Sequence, residues 1–259
     1  MFYEFARAVN EIKPLICVGE NVRGLQRHDN GRTLQGMVQI LDEIGYKVLE
    51  PKVLKAIFYE VPQKRERIFI VGIRKDIDTV FEYPNPISRI YTLKDALKKG
   101  DLFSSNVPES AGATYPDHKK RVMEMIPPGG YWRDLPVDIQ KAYMKKSYFL
   151  GGGKTGMARR ISWDEPCLTL TTSPAQKQTE RCHPEETRPF TVREYARIQT
   201  FPDEWKFSGS IAQQYKQIGN AVPVNLGKHL GYSIVRFLNS YYSKQITFKP
   251  TATFAKALE

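Results

Sequence analysis

The chain has 259 residues, 41% apolar and 12% aromatic, enough to bury a sizeable core and to exclude a disordered tail. Lysine and arginine number 39 against 28 acids, and the resulting charge of +11 favours an anionic partner, nucleic acid first. No run of about 18 apolar residues is present, so no helical membrane span is expected.

Phe2, Phe5, Ala6, Val9 and Ile12 recur at helical spacing, so the chain opens on an amphipathic helix that Pro14 ends; this is not a signal-peptide pattern. The apolar run Leu15 to Val18 predicts a buried strand, placed mid-sheet, that delivers Glu20 and Asn21 at its carboxyl edge. Leu34, Met37, Val38, Leu41 and Ile44 mark a second helix, closed by Gly45 where left-handed geometry needs glycine. Residues 46–58 and Arg67 to Ile73 read as strands. Helix, strand, helix, strand, strand is half of a doubly wound α/β sheet.

From about Asp76 prolines, glycines and lysines become frequent and long periodic runs disappear. Only Thr92 to Lys99 and Asp138 to Lys146 are helix candidates there, with Tyr131-Trp132 after the turn-forming Pro127-Pro128-Gly129-Gly130. Helical spacing returns at Thr191, and Val222 to Leu238 forms a final apolar helix before a loosely held tail from Tyr241. Cys17, Cys167 and Cys182 show no paired spacing and do not cluster with the histidines. They fit a reducing, cytoplasmic location, with neither a disulfide framework nor a metal site.

Three stretches carry chemistry. The first is Cys17-Val18-Gly19-Glu20-Asn21-Val22-Arg23-Gly24-Leu25, the second Val61-Pro62-Gln63-Lys64-Arg65-Glu66-Arg67, and the third Tyr215-Lys216-Gln217-Ile218-Gly219-Asn220-Ala221-Val222-Pro223. Gln63, Arg65 and Arg67 stand at alternate positions running into a strand, which predicts one shared face. Two guanidinium forks there suit a phosphate or a pyrimidine carbonyl oxygen. The bland alternatives are a strand-end acid capping a turn at Glu20 and a solvated face at the arginines.

In their order the three stretches resemble the later blocks of the DNA cytosine methyltransferases that modify carbon 5, from residue 2 to about residue 240. The resemblance implies the later half of a doubly wound, Rossmann-like methyltransferase α/β sheet plus an irregular DNA-recognition domain. Residues 1–75 would be a partial core, 76–187 the target-recognition domain, 188–240 a bracing segment with the final core helix, and 241–259 a tail. It also implies S-adenosyl-L-methionine as cofactor and double-stranded DNA with a flipped cytosine as partner.

Site roles follow from the same resemblance. A thiolate adds to carbon 6 of the cytosine while ring nitrogen 3 gains a proton or hydrogen bond, which the glutamate of Glu20-Asn21-Val22 supplies from a dry pocket. Arg67 contacts oxygen 2 of the base and Arg65 supports the site. Asn220, Ala221 and Val222, leading into the last helix, hold the methionine end of the cofactor, where free amides and the helix dipole favour an anion. Asn21 and Gln63 lie beside the DNA, and Arg193 and Glu194 are scaffold. Pro166-Cys167-Leu168-Thr169-Leu170-Thr171 resembles the end of the recognition segment, which puts Thr169 and Leu170 near DNA. The basic residues Lys119, Lys120, Arg121, Lys141, Lys145, Lys146, Lys154, Arg159 and Arg160 suit backbone phosphates, which position without specifying.

Two motifs mislead. Pro166-Cys167 is followed by leucine and comes after Glu-Asn-Val, the wrong side for the family's nucleophile. Gly151-Gly152-Gly153-Lys154-Thr155 has the wrong glycine spacing for a phosphate loop. Neither a strand with a glycine-rich cofactor turn nor a Pro-Cys-Gln occurs in these 259 residues. The cofactor site is therefore incomplete here, and Met1 falls where the family's chain is already past its nucleophile. Either a companion chain supplies the missing blocks, as in a split enzyme of a restriction–modification system, or the chain is an inactive DNA-binding remnant.

Overall fold

The structure, a computed structural model, describes residues 2–247. These fall into two compact units, one of residues 2–54, 66–85 and 228–247, the other of residues 55–65 and 86–227. The sequence boundaries at 75 and 187 fall elsewhere, and segment 188–227 shares a unit with 86–187.

In the first unit, α1 (Phe2–Ile12) leads into β1 (Ile16–Val22) and α2 (Arg32–Glu43). Gly45 follows α2 at φ +97°, the left-handed position only glycine takes without strain. The strand expected over 46–58 is two pieces, β2 (Tyr46–Val48) and β3 (Lys52–Lys55), because Pro51 removes a ladder donor between them. The long strand β5 (Glu66–Arg74) is central, with β1, β2 and β3 all paired to it.

β1 and β2 both pair antiparallel with β5, in place of the parallel ladder expected from the alternation of elements. β1 therefore ends the sheet, paired on one side only among the described residues, and the upstream neighbour that a mid-sheet place requires is not among them. Val9 of α1 and Leu41 of α2 join Cys17, Tyr46, Ile68 and Ile70 in one apolar core. Periodic burial along both helices makes that core, so propensity is secondary here.

In the second unit the two-residue strands β4 (Gln63–Lys64) and β6 (Cys167–Leu168) pair in parallel. Helices α3 (Leu93–Leu97), α6 (Val192–Ile198) and α7 (Ile211–Asn220) enclose a core of Leu97, Cys167, Leu170, Phe190, Tyr195 and Ile218. Capping boxes set the starts of all three, at Thr92, Thr191 and Ser210. A second core forms around Met123, Trp132, Met144 and Cys182, from α4 (Asp117–Glu124) and α5 (Val137–Met144). The sequence does not announce α4, since Met123 is its one buried side chain. The last helix, α8, is Val224–Thr247; the rest of the expected tail, 248–259, lies outside the described residues. Among the described residues no helix is long and apolar enough to cross a membrane, and no cluster of His, Cys, Asp or Glu could hold a metal.

Candidate functional site

The antiparallel register puts Val22 opposite Arg67 and Glu20 opposite Phe69. Glu20 and Arg67 are thus diagonal neighbours on one face, within reach of long side chains. Arg67 Nε meets Glu20 Oε1 at 2.8 Å, with the two side chains 13% and 31% exposed. Burial lowers the pKa of the Arg67 guanidinium and the Glu20 carboxylate pulls it back up, and it stays a cation. Arg67 also donates to Glu66 O at 2.8 Å, and Arg23 pairs with the Glu66 carboxylate at 2.6 Å. Sequence reasoning missed Arg23 and Glu66 as braces of this edge, although they stand one register step beyond the Val22–Arg67 pair. Asn21 Oδ1 turns back on its own strand end, accepting from Val22 N at 2.8 Å.

The shared face of Gln63, Arg65 and Arg67 does not form. Gln63 N donates to Val61 O and Arg65 N to Gln63 O, two consecutive tight turns that break the alternation between β4 and β5. Arg65 is 1% exposed and donates to Leu170 O at 3.0 Å, Gly219 O at 2.8 Å and Ala221 O at 3.0 Å. Gln63 is fully buried, donating to Gln199 Oε1 and accepting from Leu170 N, both at 3.0 Å. Gln63 is therefore a backbone tie inside the second unit, not a DNA contact.

These ties converge on the recognition segment. Arg181 donates to Thr169 O at 3.0 Å, and the Tyr195 hydroxyl accepts from Thr171 N and donates to Thr171 O. The polar backbone of Thr169 to Thr171 is thus held largely by side chains from elsewhere in the chain. No local signal in the sequence points to Arg181. Thr169 remains half-exposed, its hydroxyl donating to Lys64 O at 2.5 Å, while Leu170 is 1% exposed in the core and cannot face DNA.

Among the expected phosphate contacts Arg160 is a correction. It is 4% exposed, with its guanidinium donating to Ile126 O at 2.6 Å, Met123 O at 2.7 Å and His183 O at 3.0 Å. A buried cation saturated by carbonyls braces the fold and has no free donor to offer a phosphate. Arg159 pairs with Glu165 at 2.6 Å, Lys154 donates to Ser147 O and Leu150 O, and Lys119 pairs with buried Glu180. Lys120, Arg121, Lys141, Lys145 and Lys146 are exposed.

The cofactor candidates fit in part. Asn220, the last residue of α7, is exposed, and Val222 is half-buried. Ala221 O is occupied by Arg65. At the start of α8, Val224 N donates to Gln199 O at 3.0 Å and Asn225 N to Thr200 Oγ1 at 2.9 Å. Those amides are engaged, so the helix-terminus anion site expected from sequence is corrected; the Asn220 carboxamide is what remains for a carboxylate.

None of the cysteines is poised as a nucleophile. All three are buried. Burial pushes Cys17 up to about 11 and Cys167 up to about 12, and raises Cys182 as well. A thiol held that far above neutrality supplies little thiolate. A cavity of about 450 Å³ in the second unit, lined by Trp163, His183, Arg188 and the scaffold residue Glu194 among others, contains none of the residues expected to act in catalysis or to bind cofactor or DNA.

The family profile for the C-5 cytosine-specific DNA methylases matches residues 1–236. The chain belongs to that family. It is 64% identical over 241 residues to the type II methyltransferase M.Eco47II of Escherichia coli, covering 92% of this chain and 58% of that protein. It is 55% identical over 243 residues to M.Sau96I of Staphylococcus aureus, covering 93% and 55%. The chain thus spans somewhat over half the length of these relatives. Its fold is that of an α/β methyltransferase: a DNA modification methyltransferase encoded within an E. coli prophage superposes with a TM-score of 0.61 at 23% identity, covering 91% of this chain and 73% of that one. Dnmt2 methyltransferase of S. pombe gives 0.55 at 15%, covering 87% and 68%.

Proposed function

We propose that this chain supplies target recognition, the pocket glutamate and part of the S-adenosyl-L-methionine site to a DNA (cytosine-5-)-methyltransferase of a restriction–modification system. The cofactor turn and the nucleophilic thiolate come from a segment outside these 259 residues, on a companion chain. The observation that carries the reading is the Glu20–Arg67 pair at 2.8 Å on the β1–β5 edge. As the thiolate adds to carbon 6 of a flipped cytosine, negative charge develops over ring nitrogen 3 and oxygen 2. Glu20 meets nitrogen 3 with a hydrogen bond or proton, and Arg67 meets oxygen 2 while holding the carboxyl in place. Arg65 acts at one remove, by fixing the carbonyls of Leu170, Gly219 and Ala221.

Segment 76–187 carries target recognition in this reading, with Thr169 facing base edges and Lys145 a phosphate. When bound, the cofactor supplies the methyl group; this chain's part is the Asn220 side chain and the backbone of Val222. The unpaired side of β1 is where the rest of the family's sheet attaches.

The test is methyl transfer from labelled cofactor to unmethylated DNA, by the chain alone and after co-expression with a fragment bearing Pro-Cys-Gln and the glycine-rich turn. The expected result is no turnover alone, and turnover with a one-to-one complex in the pair. Turnover by the purified chain, lost in Cys167→Ser, would show that the nucleophile lies within it. No complex and no turnover would leave the inactive DNA-binding remnant.

A further inference from the structure

After α5 the chain turns through Lys145 and Lys146 into Ser147-Tyr148-Phe149-Leu150, then three glycines, to Lys154. Phe149 is 80% exposed and Leu150 65%. Single exposed apolar residues are ordinary on protein surfaces and need no explanation. This adjacent pair differs because the loop is built to hold it outward.

Three features hold it. Tyr131, Trp132, Tyr148 and Phe149 form an edge-on aromatic ladder with centroids 6.3, 6.0 and 5.2 Å apart, and its second rung, Trp132, is buried in the second core. Such contacts fix ring orientation as well as adding area. The ammonium of Lys154 donates to both Ser147 O and Leu150 O, which ties the loop shut beneath the tip. Lys145 and Lys154 take positive φ, at 53° and 49°, so non-glycine residues hold strained backbone at both ends of the loop.

The surroundings say what the tip meets. From Ile139 to Trp163 there is no acidic residue and there are six basic ones. Of these, Lys141, Lys145 and Lys146 are exposed. A rigid apolar tip amid lysines matches a duplex, whose stacked bases are apolar and whose rim is phosphate. We propose that Phe149 and Leu150 form a wedge that enters the base stack of DNA, with Lys145 and Lys146 on the flanking phosphates. Apolar side chains so placed partly unstack a base step and bend the duplex. This rests on the DNA-binding reading above and adds a contact which that reading does not contain.

The experiment uses the full chain and a randomised-sequence duplex, followed by anisotropy across a salt series. Phe149→Ala should weaken binding about tenfold, the scale of one lost stacking contact, without changing the salt slope. Lys145→Ala and Lys146→Ala should each lower that slope by about one. The fluorescence of a Phe149→Trp variant should be quenched on binding, and its thermal melt should match wild type because the site is exposed. Wild-type binding with an unaffected Phe149→Ala and an unquenched Phe149→Trp overturns the wedge alone. Absence of wild-type binding even at low salt overturns the DNA-binding reading and the wedge with it. If Phe149→Ala instead abolishes self-association without touching DNA affinity, the pair is a contact between copies and the wedge is wrong.

Discussion

Arg65→Ala separates two arginines that the sequence presents as a matched pair. Arg65 is 1% exposed and ties three carbonyls, of which Ala221 O keeps a long contact from Gln199 at 3.4 Å and Leu170 O and Gly219 O lose the guanidinium. Each buried carbonyl left bare costs about 1–3 kcal/mol, and the vacated guanidinium volume adds a cavity cost. Relief from desolvating a buried cation offsets part of this, leaving a loss of roughly 3–5 kcal/mol. At about 2–4 °C per kcal/mol for a chain of this size, the melting temperature should fall by roughly 6–20 °C. Arg67→Ala breaks one partly exposed pair and should cost about 1 kcal/mol or less. Trp132, Trp163 and Trp205 all lie in the second unit, so tryptophan fluorescence reports the unit that Arg65 ties together. Arg65→Lys should recover part of the loss, since an ammonium can still reach one carbonyl. Equal melts for Arg65→Ala and Arg67→Ala would refute the division of labour between them.

Gly219→Ala should be more damaging than any ordinary glycine substitution in a helix, because its Cβ would lie 2.2 Å from Thr171 O; a melt within about 2 °C of wild type would contradict the packing. Alkaline stability should fall as pH rises from the unfolded thiol value of 9.0 toward about 11 at Cys17 and about 12 at Cys167, since above 9.0 the unfolded chain holds fewer protons than the folded one. Urea midpoints measured across that window check it, with Cys17→Ala expected to flatten the fall. In the reconstituted pair, Glu20→Gln should lower the single-turnover rate about 10²–10⁴-fold while DNA affinity stays near wild type, and a near-normal rate would remove Glu20 from the chemistry.

The elements of the first unit were legible because their apolar periodicity is clean. Leu41 and Gly45 sit where a helix and its stop require them, and β5 reads as an apolar run. The direction of pairing was not legible, since alternation of helix and strand says nothing of where each strand docks. Glu20 and Arg67 could be paired only once the register was known. Arg65 and Arg160 look like solvated cations in one dimension, yet their carbonyl partners come from segments more than a hundred and more than twenty residues away, respectively. Phe149 reads as a core residue from its type alone. Its outward position follows from the Lys154 tie and the aromatic ladder, which no local pattern encodes.

The β1–β5 pairing also sets a schedule for synthesis. Ile16 pairs with Ile73, and Val22 with Arg67. On a ribosome, β1 emerges about fifty residues before its partner is complete, a wait of roughly 3–10 s at ordinary elongation rates of about 5–20 residues per second. During that interval Ile16, Cys17 and Val18 have no β5 to cover them, and of their core partners α1, then α2, are made first. A chaperone that follows nascent chains should therefore engage once β1 has left the exit tunnel, and leave once β5 has cleared it.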